Sequence, residues 1–200
     1  MSDYVTIANL IGSKIGTDDQ ISSPDDDTHI ARTIKAVWVP QRQAAIRDHS
    51  WNMATRREAL SAIANPGTIY PWSYAFELPT ESLRLVEVIN SEVRESYSLE
   101  GRRILANVLG PVYIRFLIDV PETGLWDGLF VEAFACRMAM QVGPRIAGSN
   151  FNLRAAEVAY EDALSAAKRT DARENPPIPQ EVTPWEQARL QSGGADWGYR

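Results

Sequence analysis

Cysteine is nearly absent: Cys136 is the single thiol in 200 residues. One thiol cannot close an internal disulfide, so neither a disulfide scaffold nor an oxidising compartment is expected. Histidine is almost as scarce, with only His29 and His49, twenty residues apart and without partner cysteines. A zinc site needs about four nitrogen or sulfur ligands at short spacings, so no metal is expected. No run approaches about eighteen uncharged apolar residues, which removes the expectation of a membrane span. The stretch "MSDYVTIANLIGSKIG" has no basic start followed by an apolar core, so no secretion signal is expected and a soluble, cytosol-like setting is. A Gly-rich phosphate loop is missing too, and with it the expectation of a nucleotide cofactor. Positive charge is in deficit: the formal net charge is -6 and the pI about 5.0. A chain of that balance does not clamp phosphates by bulk electrostatics.

What is present is material for a core. The apolar share is 44%, with six Trp, seven Tyr and five Phe, enough for one domain or one domain with an insertion. Ile7, Leu10 and Ile11 share a helical face, and Gly16 stops that helix. After a polar loop rich in aspartate, Thr28 is placed to cap a long helix reaching about Asp48, with a kink or break near Val39 imposed by Pro40. A third helix is expected from Asn52 or Thr55 to about Ala64, ended by "NPG". Residues 68–120 then change to short β-branched and aromatic runs, "YAFELP", "LRLVEVI", "SYSLEGRRIL" and "PVYIRFLIDV", with a tight hairpin at Glu100-Gly101. "LWDGLFVEAFACRMAMQV" is apolar nearly all round and reads as the central buried helix, ending at Gly143-Pro144. A last helix over about 151–173 aligns Leu153, Ala156, Tyr160, Leu164 and Ala167. Beyond Glu174 the proline-rich "NPPIPQEVTPW" suits neither helix nor central strand.

The expected fold is therefore α+β, mainly α. Residues 1–66 and 121–174 form a small helical bundle, and 67–120 a β-rich insertion between the third and fourth main helices. Residues 175–200 form an extended C-terminal arm.

Candidate chemistry is thin. Asp25, Asp27 and His29 alternate, but an EF-hand beginning at Asp25 requires Gly and Glu where this chain has Ile30 and Ala36; acids there help start a helix instead. His49 and Ser50 are neighbours without a nucleophile signature. Cys136 sits among Phe134, Ala135 and Met138 as a small core residue. Glu77, Glu81, Glu87, Glu92, Glu95 and Glu100 decorate the β-rich part, and a glycosidase needs two of them across a cleft. Arg56-Arg57, Arg102-Arg103 and Arg115 fit helix-end or intersubunit pairing. The arm carries Ile178, Trp185, Trp197 and Tyr199 in a segment too polar to bury them alone, which points to docking on the bundle or on another chain.

The order of "HSWNMATRREAL", "YAFELPTESLRLVEV", "YSLEGRRIL", "LWDGLFVEAFACRMA" and "AYEDALSAAKRTDARE…PWEQAR" resembles the tail tubular protein A family, from about Ile7 to Arg189. These are head-to-tail adaptors of short-tailed bacteriophages. The family elbow reads approximately His-Pro-Trp-Asn-Phe-Ala; here Ser50 stands for the proline and Met53 for the phenylalanine. The resemblance implies that Trp51 is a core plug, Asn52 a capping residue, and Trp126-Asp127 the opening of the buried helix.

It further implies no enzyme and no cofactor, but a virion protein made in the host cytoplasm. The protein is expected to form a homo-oligomeric ring, a homododecamer, beneath the portal protein. That ring extends the DNA channel and mounts the tail nozzle protein and, in some members, tail fibres. Genomic DNA passes through without sequence-specific binding, past a channel expected to be lined by carboxylates. The arm from Asn175 to Arg200 is expected to dock onto the portal or a neighbouring subunit, ordering on assembly. The alternative is a tail-associated peptidoglycan- or polysaccharide-degrading hydrolase using the glutamates of the β-rich region.

Overall fold

A computed structural model describes residues 3–94 and 96–174; the expected arm, and Glu95, lie outside the described residues. The fold is α+β and mainly α, as the sequence pattern implies. Helix α1 (Tyr4–Ile15) is started by Asp3, whose carboxylate accepts from the Thr6 amide at 2.7 Å. It ends at Gly16, which takes φ of 83° and lets its N–H reach back to Gly12 and Ser13; a side chain there would be strained. Ile7 and Ile11 are fully buried, whereas Leu10 is half-buried. Helix α2 (His29–Arg47) begins on the Thr28 cap and runs unbroken through Pro40. The expected break is absent because Pro40 is exposed, so water can serve the carbonyl it leaves without a helical partner.

The largest correction follows. The third helix expected over 52–64 is a short 3-10 turn at Asn52–Ala54 followed by strand β1 (Thr55–Leu60). "RREAL" contains good helix formers, but β1 pairs along its whole length with β6 (Val112–Ile118), from Thr55 opposite Leu117 to Leu60 opposite Val112. Pairing with a distant strand overrides local propensity. The bundle therefore stops before residue 55, and the β-rich insertion lies between the second and third long helices.

The remaining expected strands are present: β2 (Tyr74–Glu77), β3 (Ser82–Val88), β4 (Ser98–Glu100) and β5 (Arg103–Ala106). A one-turn helix α3 (Ser91–Arg94) follows β3. They make two three-stranded antiparallel sheets, ordered β1-β6-β3 and β2-β5-β4. The β4–β5 turn is centred on Gly101-Arg102, one residue beyond the expected pair, because Glu100 and Arg103 are themselves paired. Phe76 and Ile104 from one sheet meet Ile114, Phe116 and Val88 from the other in a separate small core.

Helix α4 (Gly128–Ile146) is the buried centre of the bundle and packs on α1, α2 and α5 (Leu153–Glu174). It continues past Gly143-Pro144 to Ile146 rather than stopping there, since Pro144 lies exposed in the last turn. A Cβ on Gly143 would run into the Phe151 ring, so glycine here makes room for the ring that closes the α4–α5 corner. On α5 the expected stripe holds for Ala156, Tyr160, Leu164 and Ala167, but Leu153 is 44% exposed.

Candidate functional site

The helix elbow is where most of the family-like residues converge. Trp51 is 2% exposed; its indole N–H donates to the Ala45 carbonyl at 3.0 Å and its ring meets Phe130 edge-on at 4.9 Å. The polar end of the indole is thus satisfied within the core it fills. His49 stands edge-on to Trp51 at 4.8 Å, with Nε2 3.2 Å from Asp171 Oδ2 on α5. Ser50 turns the other way, accepting from Arg84 Nη2 at 3.0 Å. The two neighbours therefore diverge, and the structure brings no nucleophile–base pair together there.

Asn52 caps, but not a helix of its own. Its amide N–H donates to Asp171 Oδ1 at 2.9 Å, and Nδ2 donates to the Asp171 carbonyl at 2.8 Å and to Glu174 Oε2 at 3.1 Å. Those bonds tie the last described turn of α5 to the elbow. Arg137 ties the same corner together, donating to Gln41 at 2.8 Å, Asp48 at 2.6 Å and the Tyr160 hydroxyl at 2.8 Å. The elbow consequently holds residues 171–174 of α5 against the bundle.

Trp126 and Asp127 open α4. The Trp126 indole donates to the Val120 carbonyl at 2.9 Å, and its ring lies within 5.1–6.2 Å of Phe134, Phe130 and Trp38. Asp127 Oδ2 accepts from the Leu129 and Phe130 amides at 2.7 and 3.3 Å, a carboxylate at the positive helix end. Beside them Leu125 is 63% exposed, an apolar corner that sequence patterning does not single out.

The other candidates separate. Asp25 and Asp27 pair with Lys35 and Arg32 at 3.3 and 3.0 Å, and the His29 carbonyl accepts from Thr33 Oγ1 within α2. No group of three or more metal-ligating side chains occurs among the described residues. Glu77, Glu81, Glu92 and Glu100 are exposed, and Glu87 lies 3.1 Å from Arg115. Glu77 and Glu100 both stand in register with Arg103, so an arginine separates these two carboxylates on an open sheet. Ile178, Trp185, Trp197 and Tyr199 lie outside the described residues.

Sequence reading misses a cavity of about 380 Å³ between the end of α1, α4 and the start of α5. Lys14 and Cys136 line it with Phe151, Ala155 and Ala159. Lys14 Nζ meets Glu132 Oε1 at 2.5 Å, and burial pushes the Cys136 thiol up, so at neutral pH it is a thiol rather than a nucleophilic thiolate. Its walls come from segments more than a hundred residues apart, which no local motif signals.

No helix among the described residues is long and apolar enough to cross a membrane. No protein-family model matches the chain and no curated protein matches it in sequence, so its function has to be read from its own residues and their arrangement.

Proposed function

We propose that this chain is a structural head-to-tail adaptor of a bacteriophage virion. Copies form a closed ring, a homododecamer, under the portal protein; the ring extends the DNA channel and mounts the tail nozzle and, where present, tail fibres. The observation that carries the reading is the elbow. Residues resembling the family signature, His49, Trp51 and Asn52, form one cluster that plugs the bundle and grips the end of α5. That grip holds the last described turn of α5, and the reading uses the residues after Glu174, which lie outside the described residues, as a docking arm. The family's fold is a helical bundle with a β-rich projection, and two antiparallel sheets joined to a helical bundle agree with it.

The mechanism is assembly. Each subunit presents two different surfaces, and one repeated heterologous contact closes because the rotation per subunit divides a full turn. Carboxylates facing the bore would let DNA phosphates slide past without sticking.

Native mass spectrometry of the purified protein, alone and mixed with its portal ring, tests this. The expected result is addition to the portal up to a fixed, twelvefold number. A protein that ignores the portal and forms no ring overturns the reading. Truncation after Glu174 should leave a folded monomer that no longer joins the portal; undiminished binding would remove the arm from the mechanism.

A further inference from the structure

The outward face of the β1-β6-β3 sheet is short of negative charge. Cross-strand partners share a face, so the register sets out its rows. Nearest the bundle, Arg84 lies opposite Leu117; next comes Arg57 opposite Arg115, which is opposite Glu87. Farthest out, Ala59 is opposite Tyr113, whose carbonyl accepts from the Ile89 amide. These rows hold three guanidiniums and one carboxylate, and of the three only Arg115 is paired with it. Arg57 and Arg115 are like charges directly opposed, an arrangement that disfavours the sheet unless something neutralises it. Arg115 Nε is 3.1 Å from Glu87 Oε1 but not aligned to donate to it. Both it and Arg84 Nε are buried without a hydrogen-bond partner, and Arg57 has no ion pair among the described residues. β1 is an edge strand whose one strand partner among the described residues is β6, so the row is open at its arginine end. Beyond it Tyr113 and Ile89 are 49% and 42% exposed, an apolar strip beside the charge.

The complementary surface is on the same molecule but out of reach. Between α1 and α2 the loop 17–28 carries Asp18, Asp19, Asp25, Asp26 and Asp27 and no Lys or Arg. Asp26 is committed to the Ser22 and Ser23 amides, and Asp25 and Asp27 to α2 cations. Asp18 and Asp19 are exposed and have no cation partner among the described residues. Loop and elbow sit at opposite ends of α2, which at 1.5 Å per residue separates them by about 27 Å. β1 departs from the elbow end, so loop and sheet face start from opposite ends of that helix.

We propose that the acidic loop 17–28 of one copy docks on the Arg57–Arg115 face of the next. The proposal rests on the ring reading above and specifies its contact. Loop and face are different surfaces, so the contact is heterologous and propagates head to tail, as a ring requires and a two-fold dimer does not. Aspartates supply the missing negative charge to the arginine row, while Tyr113 and Ile89 provide the apolar part.

The test is charge reversal, read by native mass spectrometry of the full chain, alone and on the portal ring. R57E places opposite charges across from Arg115 and so should not disturb folding; D18K/D19K changes exposed side chains. Each variant alone should assemble at least about tenfold more weakly than the unaltered chain, since like charges then face each other. An equimolar mixture of the two should assemble again, because every contact in an alternating ring is complementary. If the unaltered chain assembles and the variants match it, this contact is wrong while the ring stands. If it assembles neither alone nor on the portal, both fall. If a short DNA duplex binds the unaltered chain and R57E abolishes that binding, the face serves nucleic acid and the proposal is overturned.

Discussion

The bundle and the two-sheet projection are built on different principles. The bundle is organised by large aromatic side chains: Trp38, Trp51, Trp126, Phe130 and Phe134 interlock around α4, mostly edge to face. The projection has a smaller aliphatic and phenylalanine core between two thin sheets. Their charges differ as well. Residues 55–118 contain seven arginines and seven glutamates with no Lys or Asp, whereas residues 3–54 contain aspartate as their only acid. Shape is therefore held mainly by the bundle, and the projection offers the arginine-bearing surface. Where they join, Leu117 of β6 enters the bundle core with Leu83 and Val86 beside it. There Arg42, 8% exposed, donates at 2.8 and 2.7 Å to both oxygens of Asp119, just after β6, with a third bond from Gln43 at 3.0 Å.

Trp126→Ala should break this comparison most strongly, at about 4 kcal/mol, because it removes a buried ring and leaves a cavity among three others. Hydrogen exchange should then show faster exchange of α4 amides with the projection strands still protected. Uniform loss across both regions would mean that they unfold as one unit.

Asp119→Ala should cost about 3 kcal/mol by leaving the buried Arg42 guanidinium unpaired, and urea unfolding should separate into a bundle and a projection transition. Burial raises the Asp119 pKa, but the bonds from Arg42 and Gln43 lower it more, and the net shift is down. A depressed folded-state carboxylate contributes stability that is full above its ordinary value near pH 4 and is lost as pH falls through the lower folded value. The unaltered protein should lose more stability than Asp119→Asn on acidification below about pH 4.

Gly143→Ala sets a methyl against the Phe151 ring, and overpacking of this kind costs about 2 kcal/mol. Calorimetry should register a lower Tm; an unchanged Tm would show that Phe151 can swing aside. Smallest, Asn52→Ala should cost about 1 kcal/mol through the bonds it makes to the end of α5. Amide exchange should rise there first, with the sheets untouched.

Much of the bundle was legible because its signals are local. Thr28 caps a helix through an amide three residues away and Gly16 ends one through its own backbone, while the places of Trp51, Trp126 and Asp127 followed from the family resemblance. β1 was illegible for the opposite reason. Arg56, Arg57, Glu58 and Ala59 favour helix locally, and the partner that makes them a strand lies more than fifty residues later. Pro40 read as a kink or break and Pro144 as a stop, yet both lie exposed inside helices, where water can serve the carbonyls they leave unpaired.

From the sequence alone came the fold class and most element positions, because capping, periodicity and side-chain bulk act over a few residues; the anchors of the elbow came from the resemblance of its residues to a known family. The tertiary structure decided that Asn52 grips α5, that His49 and Ser50 part, and that Arg57, Arg115 and Glu87 stand in one cross-strand row. Each of those is a meeting of segments distant in the chain, and only strand register and helix packing bring such segments together.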